Sequence, residues 1–163
     1  GFFQGFFTFL MCYSGLNNFE LESLLQTKTL LAASLPSLVL WASYPMTQVY
    51  QHDEDARHGD RTLSMLLGVR GTFYFAATFF TIAAAGFVLF FNKFYELRYG
   101  WAFLAALSPV VLYFGYWLMR VLKDASKANF THTMLLNFIS ATCLNCFFAW
   151  LFFEISHLGE YLF

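Results

Sequence analysis

The chain has 163 residues, of which 59% are hydrophobic and 12% are charged, and its mean hydropathy is +0.56. Soluble domains carry about 25% charged residues, so this composition excludes an ordinary soluble protein and indicates an integral membrane protein. The formal net charge of -1 excludes a global basic field, so nucleic acid is not expected as a partner.

Five apolar segments predict five membrane-spanning helices, because crossing a bilayer as a helix takes about 20 predominantly apolar residues. In chain order they are residues 2–16, 29–50, 71–91, 100–119 and 133–153. Their apolar residues run continuously instead of alternating, which argues against the strands of a membrane β-barrel. The sequence therefore predicts an all-α fold, a polytopic transmembrane helical bundle.

The first segment is short for a span, and no positively charged region precedes it, so it is not typical of a signal peptide. We interpret it as a helix cut at its start. Residues 1–163 are then expected to be the C-terminal portion of one larger domain, with the N-terminal helices of the same protein as partners.

The basic residues that flank the spans predict the orientation, because Lys and Arg concentrate on the cytoplasmic side. Of the nine basic residues, one side holds all except Lys28, Lys93 and Arg98. The larger group is Arg57, Arg61, Arg70, Arg120, Lys123 and Lys127. We expect a multi-pass protein of the cell (inner) membrane, with its acidic segment facing the cytoplasm and residues 154–163 outside.

The densest cluster of charge, here called the acidic segment (residues 52–61), follows the second span. Its carboxylates at Asp53, Glu54, Asp55 and Asp60 repel one another, so they must be solvated, paired or bound to a cation. Mg²⁺ suits such a cluster, because it accepts few protein ligands, keeps waters and bridges to substrate phosphates. A solvated turn with local ion pairs, such as Asp53 with Arg57, is the alternative.

Helical spacing organises the residues before this cluster. If the second span stays helical through it, Tyr44, Gln48, Gln51 and Asp55 share one face. A polar stripe that rises from an apolar helix is expected to face the bundle interior or a water-filled cavity. Pro45 is expected to bend the helix just before the charges.

Turn signals then follow the acidic segment. Gly59 is expected to end the helix, because glycine accepts the left-handed conformation that follows many helices. Asp60 or Thr62 is expected to cap the next helix. Arg70 is expected on a brief connector together with Gly68 and Gly71.

The run YPMTQVYQHDED at residues 44–55, followed by GDRTL at 59–63 and LLG at 66–68, resembles the second aspartate-rich motif of the UbiA family of intramembrane prenyltransferases. The resemblance continues through the alternation of spans and implies a bundle of about nine spans, of which this chain would be the second half. It also implies transfer of a prenyl group from an allylic diphosphate to an aromatic or other lipophilic acceptor. In that family, two aspartate-rich motifs hold Mg²⁺ and the diphosphate.

The motif assigns roles to particular residues. Asp55 matches its last aspartate and is the first candidate for catalysis and for holding Mg²⁺, with Asp53 and Glu54 as auxiliary carboxylates. Gln51 stands where the family has another aspartate, so an amide replaces one ligand. The candidates for binding the substrate are Gln48, Gln51, Arg57, Arg61 and Lys127, with the two arginines neutralising charge on the leaving group.

Other expectations accompany this hypothesis. For Lys127, an ordinary basic loop is the alternative interpretation. The family's other motif, N-x-x-x-D-x-x-x-D, is absent from these residues, so the chain alone is expected to be inactive. Prenyl diphosphate, a lipophilic acceptor and membrane lipid are the expected molecular partners.

A transporter or channel subunit is the competing hypothesis, with the stripe from Tyr44 to Asp55 as an ion or proton path. Such a path needs polar residues across the whole membrane. Residues 31–41 are apolar except for Ser34 and Ser37, which favours a pocket that opens to one side.

Overall fold

A computed structural model of the chain describes residues 2–17 and 20–156, so the predicted outer tail lies outside the described residues from position 157 onward. Helices account for 89% of the described residues, and no strand occurs among them, which confirms the all-α prediction. The helices are α1 (Phe2–Leu16), α2 (Leu21–Leu24), α3 (Thr27–Gln48), α4 (His52–His58), α5 (Leu63–Phe94), α6 (Leu97–Lys123) and α7 (Phe130–Ser156), and a 3-10 turn covers Ala125–Lys127.

Four of the described helices, α3, α5, α6 and α7, are long and apolar enough to cross a membrane. Helix α1 has the predicted bounds, but its 15 residues are fewer than a full span needs. Helices α5, α6 and α7 are longer than the predicted segments at both ends. Charged residues such as Lys93 and Lys123 are compatible with these extensions, because long basic side chains reach the water at helix ends.

Helix α5 contains a kink at Gly68, whose backbone has φ 67° and ψ 170°. This region of conformational space is essentially restricted to glycine. The kink divides α5 into a short arm, residues 63–67, and a long arm, residues 69–94. The predicted connector is confirmed at Gly68, where the backbone leaves the helical region between the two arms, and is wrong at Arg70 and Gly71, which lie in the long arm.

Helix α3 packs against α1 and α5, and α5, α6 and α7 pack in succession. The contact between α1 and α3 is especially close at Gly5, where an added Cβ would lie 2.6 Å from the backbone nitrogen of Ser37. Small residues of this kind allow the backbones of membrane helices to approach.

Two apolar clusters fill the bundle at different depths. The first surrounds the fully buried Phe73 and Trp117, and the second contains Phe87, Phe103 and Phe147. Ring contacts recur in both, for example between Phe73 and Trp117 at 4.7 Å between centroids and between Phe87 and Phe103 at 4.5 Å. These contacts explain part of the high aromatic content, because edge and offset ring pairs stabilise beyond their buried area.

Contacts between helix termini define two ends of the bundle. At the acidic end, the Tyr50 and Phe130 rings meet at 5.3 Å, and Arg70 Nη2 donates a hydrogen bond to the carbonyl of Leu122 at 2.9 Å. At the opposite end, Arg98 forms an ion pair with Glu154 at 3.4 Å. The acidic segment and the loop of residues 124–129 therefore lie at the same end of the bundle.

Candidate functional site

The helix does not continue through the motif, contrary to the expectation from helical spacing. Helix α3 ends at Gln48, and Gln51 has φ -103° and ψ 2° before α4 begins. The backbone amide of Gln51 donates to the backbone carbonyl of Gln48 at 3.0 Å, and this bond closes the last turn of α3. The carbonyl of Gln51 then accepts from the amides of Glu54 and Asp55, each at 2.9 Å, and this starts the new helix.

The break divides the predicted polar stripe. Tyr44 is 58% exposed on α3, whereas Gln51 lies between the helices and Asp55 lies on α4. The four residues therefore do not form one continuous helical face. Pro45 is buried inside α3, three residues before its end.

The end of α4 follows the expected chemistry. Gly59 has φ 77°, and its amide donates to the carbonyl of Ala56, while the amide of Asp60 donates to the carbonyl of Asp55 at 2.9 Å. This pair of bonds is a Schellman motif, which satisfies carbonyls at the helix end. Thr62 caps α5, since its hydroxyl accepts a hydrogen bond from the Met65 amide at 3.4 Å. The predictions for Gly59 and Thr62 are confirmed, and Asp60 does not cap α5.

Two buried oxygens of the predicted site have no hydrogen-bond partner among the described residues. They are Oε1 of Gln48 and Oδ2 of Asp55. Leaving a buried acceptor unpaired costs about 1–3 kcal/mol, and more when the group is charged. Unpaired atoms of this kind are suited to bind a cation, a water or a substrate donor.

The other charged residues of the acidic segment are exposed. Asp53, Glu54, Arg57 and Arg61 all lie on the surface. The alternative ion pair between Asp53 and Arg57 is not formed; ion pairs within the described ranges involve Arg98, Lys127 and their acidic neighbours. The two arginines therefore remain accessible to an anionic ligand at this end of the bundle.

A chain of hydrogen bonds that the sequence did not reveal joins α4 to the kink. His52 Nε2 lies 2.7 Å from Ser64 Oγ, and Ser64 Oγ lies 3.0 Å from Thr72 Oγ1. The Thr72 hydroxyl also lies within hydrogen-bond distance of two backbone carbonyls, that of Gly68 at 2.9 Å and that of Ser64 at 3.3 Å. When Thr72 donates to one of these carbonyls, Ser64 can donate to Thr72, and the His52 tautomer with a proton on Nε2 can donate to Ser64.

This chain positions α4, which contains no buried residue of its own. Ser64 and Thr72 are both fully buried, and they lie on opposite sides of the kink at Gly68. The hydroxyls of Ser64 and Thr72 resist rearrangement, because leaving either buried group unpaired would be costly. The contact from His52 therefore helps to hold the helix that carries Asp53, Glu54 and Asp55 against the bundle.

Lys127 occupies the neighbouring loop at the acidic end. Its Nζ lies 3.5 Å from Oδ2 of Asp124, and its carbonyl accepts a hydrogen bond from Trp117 Nε1 at 2.8 Å. The side chain and amide of Ser126 donate to Asp124, and these bonds, together with Lys127, lower the pKa of the Asp124 carboxyl. The loop is thus ordered by its own contacts, and Lys127 pairs with Asp124 and not with Asp55.

A cavity of about 460 Å³ lies between α3, α5, α6 and α7, deeper in the bundle than the acidic segment. Its lining draws on both apolar clusters, from Met46 and Leu136 to Phe87 and Phe103, and includes no charged residue. None of the predicted site residues lines it, although Met46 is two residues before Gln48. Sequence reasoning missed this cavity, because its walls come from residues far apart in the chain.

The donor set tests whether Mg²⁺ suits this site. No cluster of three or more His, Cys, Asp or Glu side chains with a metal-binding arrangement occurs within residues 2–17 and 20–156. The buried donors are one carboxylate oxygen of Asp55 and one amide oxygen of Gln48. At most two protein oxygens would leave most of the octahedral shell of Mg²⁺ to water and substrate phosphates, so these residues alone do not enclose an ion.

Comparisons of the chain with protein-family models, with curated proteins and with solved structures found no match. The function is therefore inferred from the motif, the geometry of the acidic end and the cavity.

Proposed function

We propose that this chain carries part of the active site of a UbiA-like prenyltransferase, which transfers a prenyl group from an allylic diphosphate to a lipophilic, aromatic acceptor in the membrane. The bond between the allylic carbon and the diphosphate oxygen breaks, and its electron pair leaves with the diphosphate. The acceptor forms a new bond to that carbon and releases a proton to the solvent. The N-terminal helices of the same protein would supply the other aspartate-rich motif.

One observation carries this proposal above the others. Asp55 matches the last aspartate of the motif, and its Oδ2 is buried without a hydrogen-bond partner among the described residues. A carboxylate in that condition is energetically suited to bind a cation. Gln48, whose Oε1 is in the same condition, would contribute a neutral oxygen donor.

The surrounding residues suit a diphosphate. Arg57 and Arg61 are exposed, make no ion pair within the described ranges and can bind phosphate oxygens. Bound Mg²⁺ would supply further neutralisation of the charge that develops on the leaving diphosphate. His52 holds the carboxylates in place through Ser64. Exposed Asp53 and Glu54 would assist as auxiliary ligands.

The rest of the bundle suits a lipophilic substrate. The uncharged cavity has the size of a typical small-molecule site, about 300–1,000 Å³. The acidic end would face the cytoplasm of the cell (inner) membrane, in keeping with its six basic residues. The diphosphate group would then reach Asp55 from the cytoplasmic side, while the prenyl chain and the acceptor stay among the apolar helices.

A transporter or channel that uses Tyr44, Gln48, Gln51 and Asp55 as an ion path has less support. The break between α3 and α4 interrupts the stripe, and Tyr44 is exposed on the outer side of its helix. Polar side chains that line the cavity are few, so a continuous polar route is not evident from its lining.

The test uses the full-length protein in lipid vesicles with radiolabelled allylic diphosphates of several chain lengths, a broad lipid extract as the source of acceptor, and Mg²⁺ present or absent. We expect Mg²⁺-dependent release of diphosphate and transfer of label to lipid. Asp55→Asn keeps the shape of the side chain and should abolish both. Asp60→Asn, an exposed carboxylate beyond Gly59, is the matched control and should retain wild-type turnover. Normal turnover in Asp55→Asn would refute the proposed role of Asp55.

A further inference from the structure

Two polar side chains of α7 face the apolar cavity without a hydrogen bond to any described residue. They are Asn137 and Ser140, which are three residues apart and so share one face of the helix. The other polar residues of the lining differ, because the hydroxyls of Thr81 and Ser43 donate to carbonyls of their own helices at 2.8 Å and 3.4 Å. The α7 wall therefore offers hydrogen-bonding groups that the fold itself does not use.

Asn137 and Ser140 lie far from the ends of α7. Asn137 lies seven residues after Phe130, which corresponds to about 10 Å along the helix, and Ser140 lies about 15 Å along it. A spanning α7 would place both groups within a hydrocarbon layer of about 30 Å. Polar groups at that depth usually face a bundle interior and mark a binding site.

The chemistry of the walls restricts the ligand. The lining contains no charged residue, so an anionic or cationic head group is disfavoured. Phe80, Phe87, Phe103 and Phe114 provide aromatic walls for a hydrocarbon body. An amide and a hydroxyl both donate and accept hydrogen bonds, so they complement a hydroxyl or carbonyl group.

We propose that the cavity binds a neutral lipid that carries a hydroxyl or carbonyl group, and that Asn137 and Ser140 recognise this group. The chain of a prenyl diphosphate has no such group along its length. The ligand would therefore correspond to the acceptor and not to the diphosphate donor; this identification rests on the proposed function, whereas the binding itself does not.

The experiment compares two photoactivatable probes that differ only in the polar group, a diazirine derivative of hexadecanol and the matching diazirine derivative of hexadecane. The full-length protein in nanodiscs is titrated with each probe without Mg²⁺ or diphosphate, and labelled peptides of α5, α6 and α7 are quantified. We expect the alcohol to label the cavity peptides at lower concentration than the alkane.

Four variants separate recognition from packing. Asn137→Leu keeps a similar volume and should weaken labelling by the alcohol about tenfold, the loss of roughly one well-formed hydrogen bond, while labelling by the alkane is retained. Ser140→Ala should weaken labelling by the alcohol to a smaller extent. Asn145→Leu, the same change at an exposed position of α7, should have no effect. Gly115→Leu adds bulk where an added Cβ has open space, and it should reduce labelling by both probes.

The outcomes are distinct. If Asn137→Leu loses labelling by both probes, the fold has changed. The labelling of Ser140→Ala by the alcohol then decides whether the inference stands. Alcohol labelling that is unchanged in Asn137→Leu and Ser140→Ala would overturn the inference, as would labelling of the same peptides in Gly115→Leu. Alcohol binding that depends on Asn137 in a protein without transferase activity supports the inference and refutes only the proposed function. Diphosphate turnover without Asn137-dependent binding would refute only the inference.

Discussion

The imidazole Nε2 of His52 lies 2.7 Å from the hydroxyl oxygen of the fully buried Ser64, and this contact joins the helix that carries Asp55 to the kinked helix α5. Helix α4 buries no residue, so the hydrogen bond between His52 and Ser64 contributes an unusually large share of the contact that attaches α4 to the bundle.

Replacing Ser64 by Ala should loosen α4 while the bundle stays folded. The change removes the acceptor for His52 and leaves Thr72 without its donor, at a cost of about 1–3 kcal/mol. Hydrogen–deuterium exchange of the amides in residues 52–58 should become faster. Ser34→Ala is the control: it removes a hydroxyl of α3 that donates to the carbonyl of Leu30, and it should leave amide exchange in α4 unchanged. Equal exchange rates in wild type and Ser64→Ala would contradict the positioning role.

Replacing Gly68 by Ala should destabilise the protein by about 1–3 kcal/mol, because φ 67° with ψ 170° is strained for any residue with a side chain. Space is not the reason, since no atom lies within 4 Å of an added Cβ. Thermal unfolding in detergent measures the effect. Gly15→Ala, in the helical part of α1 with equally open space, should be neutral or stabilising. Similar melting temperatures for the two variants would argue against a backbone requirement at Gly68.

Replacing Trp117 by Phe should lower the melting temperature more than Trp101→Phe does. Trp117 is fully buried, and its Nε1 donates to the carbonyl of Lys127, so the change removes a hydrogen bond and leaves a small cavity. We expect a loss of about 1–3 kcal/mol. Trp101 is 63% exposed and serves as the matched control. A difference between the variants smaller than the experimental error would contradict this account.

The loop of residues 124–129 should loosen at acid pH. Hydrogen bonds from Ser126 lower the pKa of Asp124 in the folded protein, so their contribution is complete above the unfolded pKa of about 3.9 and is lost as the pH falls through the folded value. Amide exchange at Ser126, corrected for its intrinsic pH dependence, should reveal the change. Asp124→Asn should remove the pH dependence, and Asp60→Asn should preserve it. If the Ser126 amide of the wild type kept the same protection against exchange down to the lowest pH, the prediction would be contradicted.

Asp55→Asn should abolish turnover without lowering the melting temperature, because Asp55 is half-buried and its Oδ2 has no hydrogen-bond partner among the described residues to lose. Mg²⁺ with inorganic diphosphate should raise the melting temperature of the wild type, since a ligand that binds the folded state stabilises it. The same addition should leave Asp55→Asn unaffected and shift Asp60→Asn as it shifts the wild type. A ligand shift that persists in Asp55→Asn would place the binding elsewhere.

The sequence was most informative where structure depends on local chemistry. Composition predicted the apolar helices, and Gly59 and Thr62 act as the helix end and the helix cap that their residue types indicate. The connector around Arg70 was predicted too long, because a glycine signals an unusual backbone angle without saying how soon the helix resumes. The break before α4 was missed because neither glycine nor proline occurs at residues 49–51.

Features made by distant residues were beyond the sequence. The hydrogen bond from His52 to Ser64 and the cavity wall at Asn137 depend on how helices pack, and no spacing rule predicts such pairs. The unpaired oxygen of Asp55 is an intermediate case, because its residue was a candidate from the motif but its burial emerged only from the fold.

The kink at Gly68 also connects the acidic end to an exposed apolar surface. The short arm of α5 exposes Leu66, which is 74% accessible, on the same arm whose Ser64 holds His52. In the proposed orientation, such a side chain would sit at the boundary between acyl chains and head groups, where a thinner or thicker bilayer changes the preferred tilt of a short helix. The Ser64–Thr72 hydrogen bond bridges the kink and resists that change. Turnover compared across bilayers of graded thickness would therefore report the rigidity of this joint as well as the solubility of the substrate.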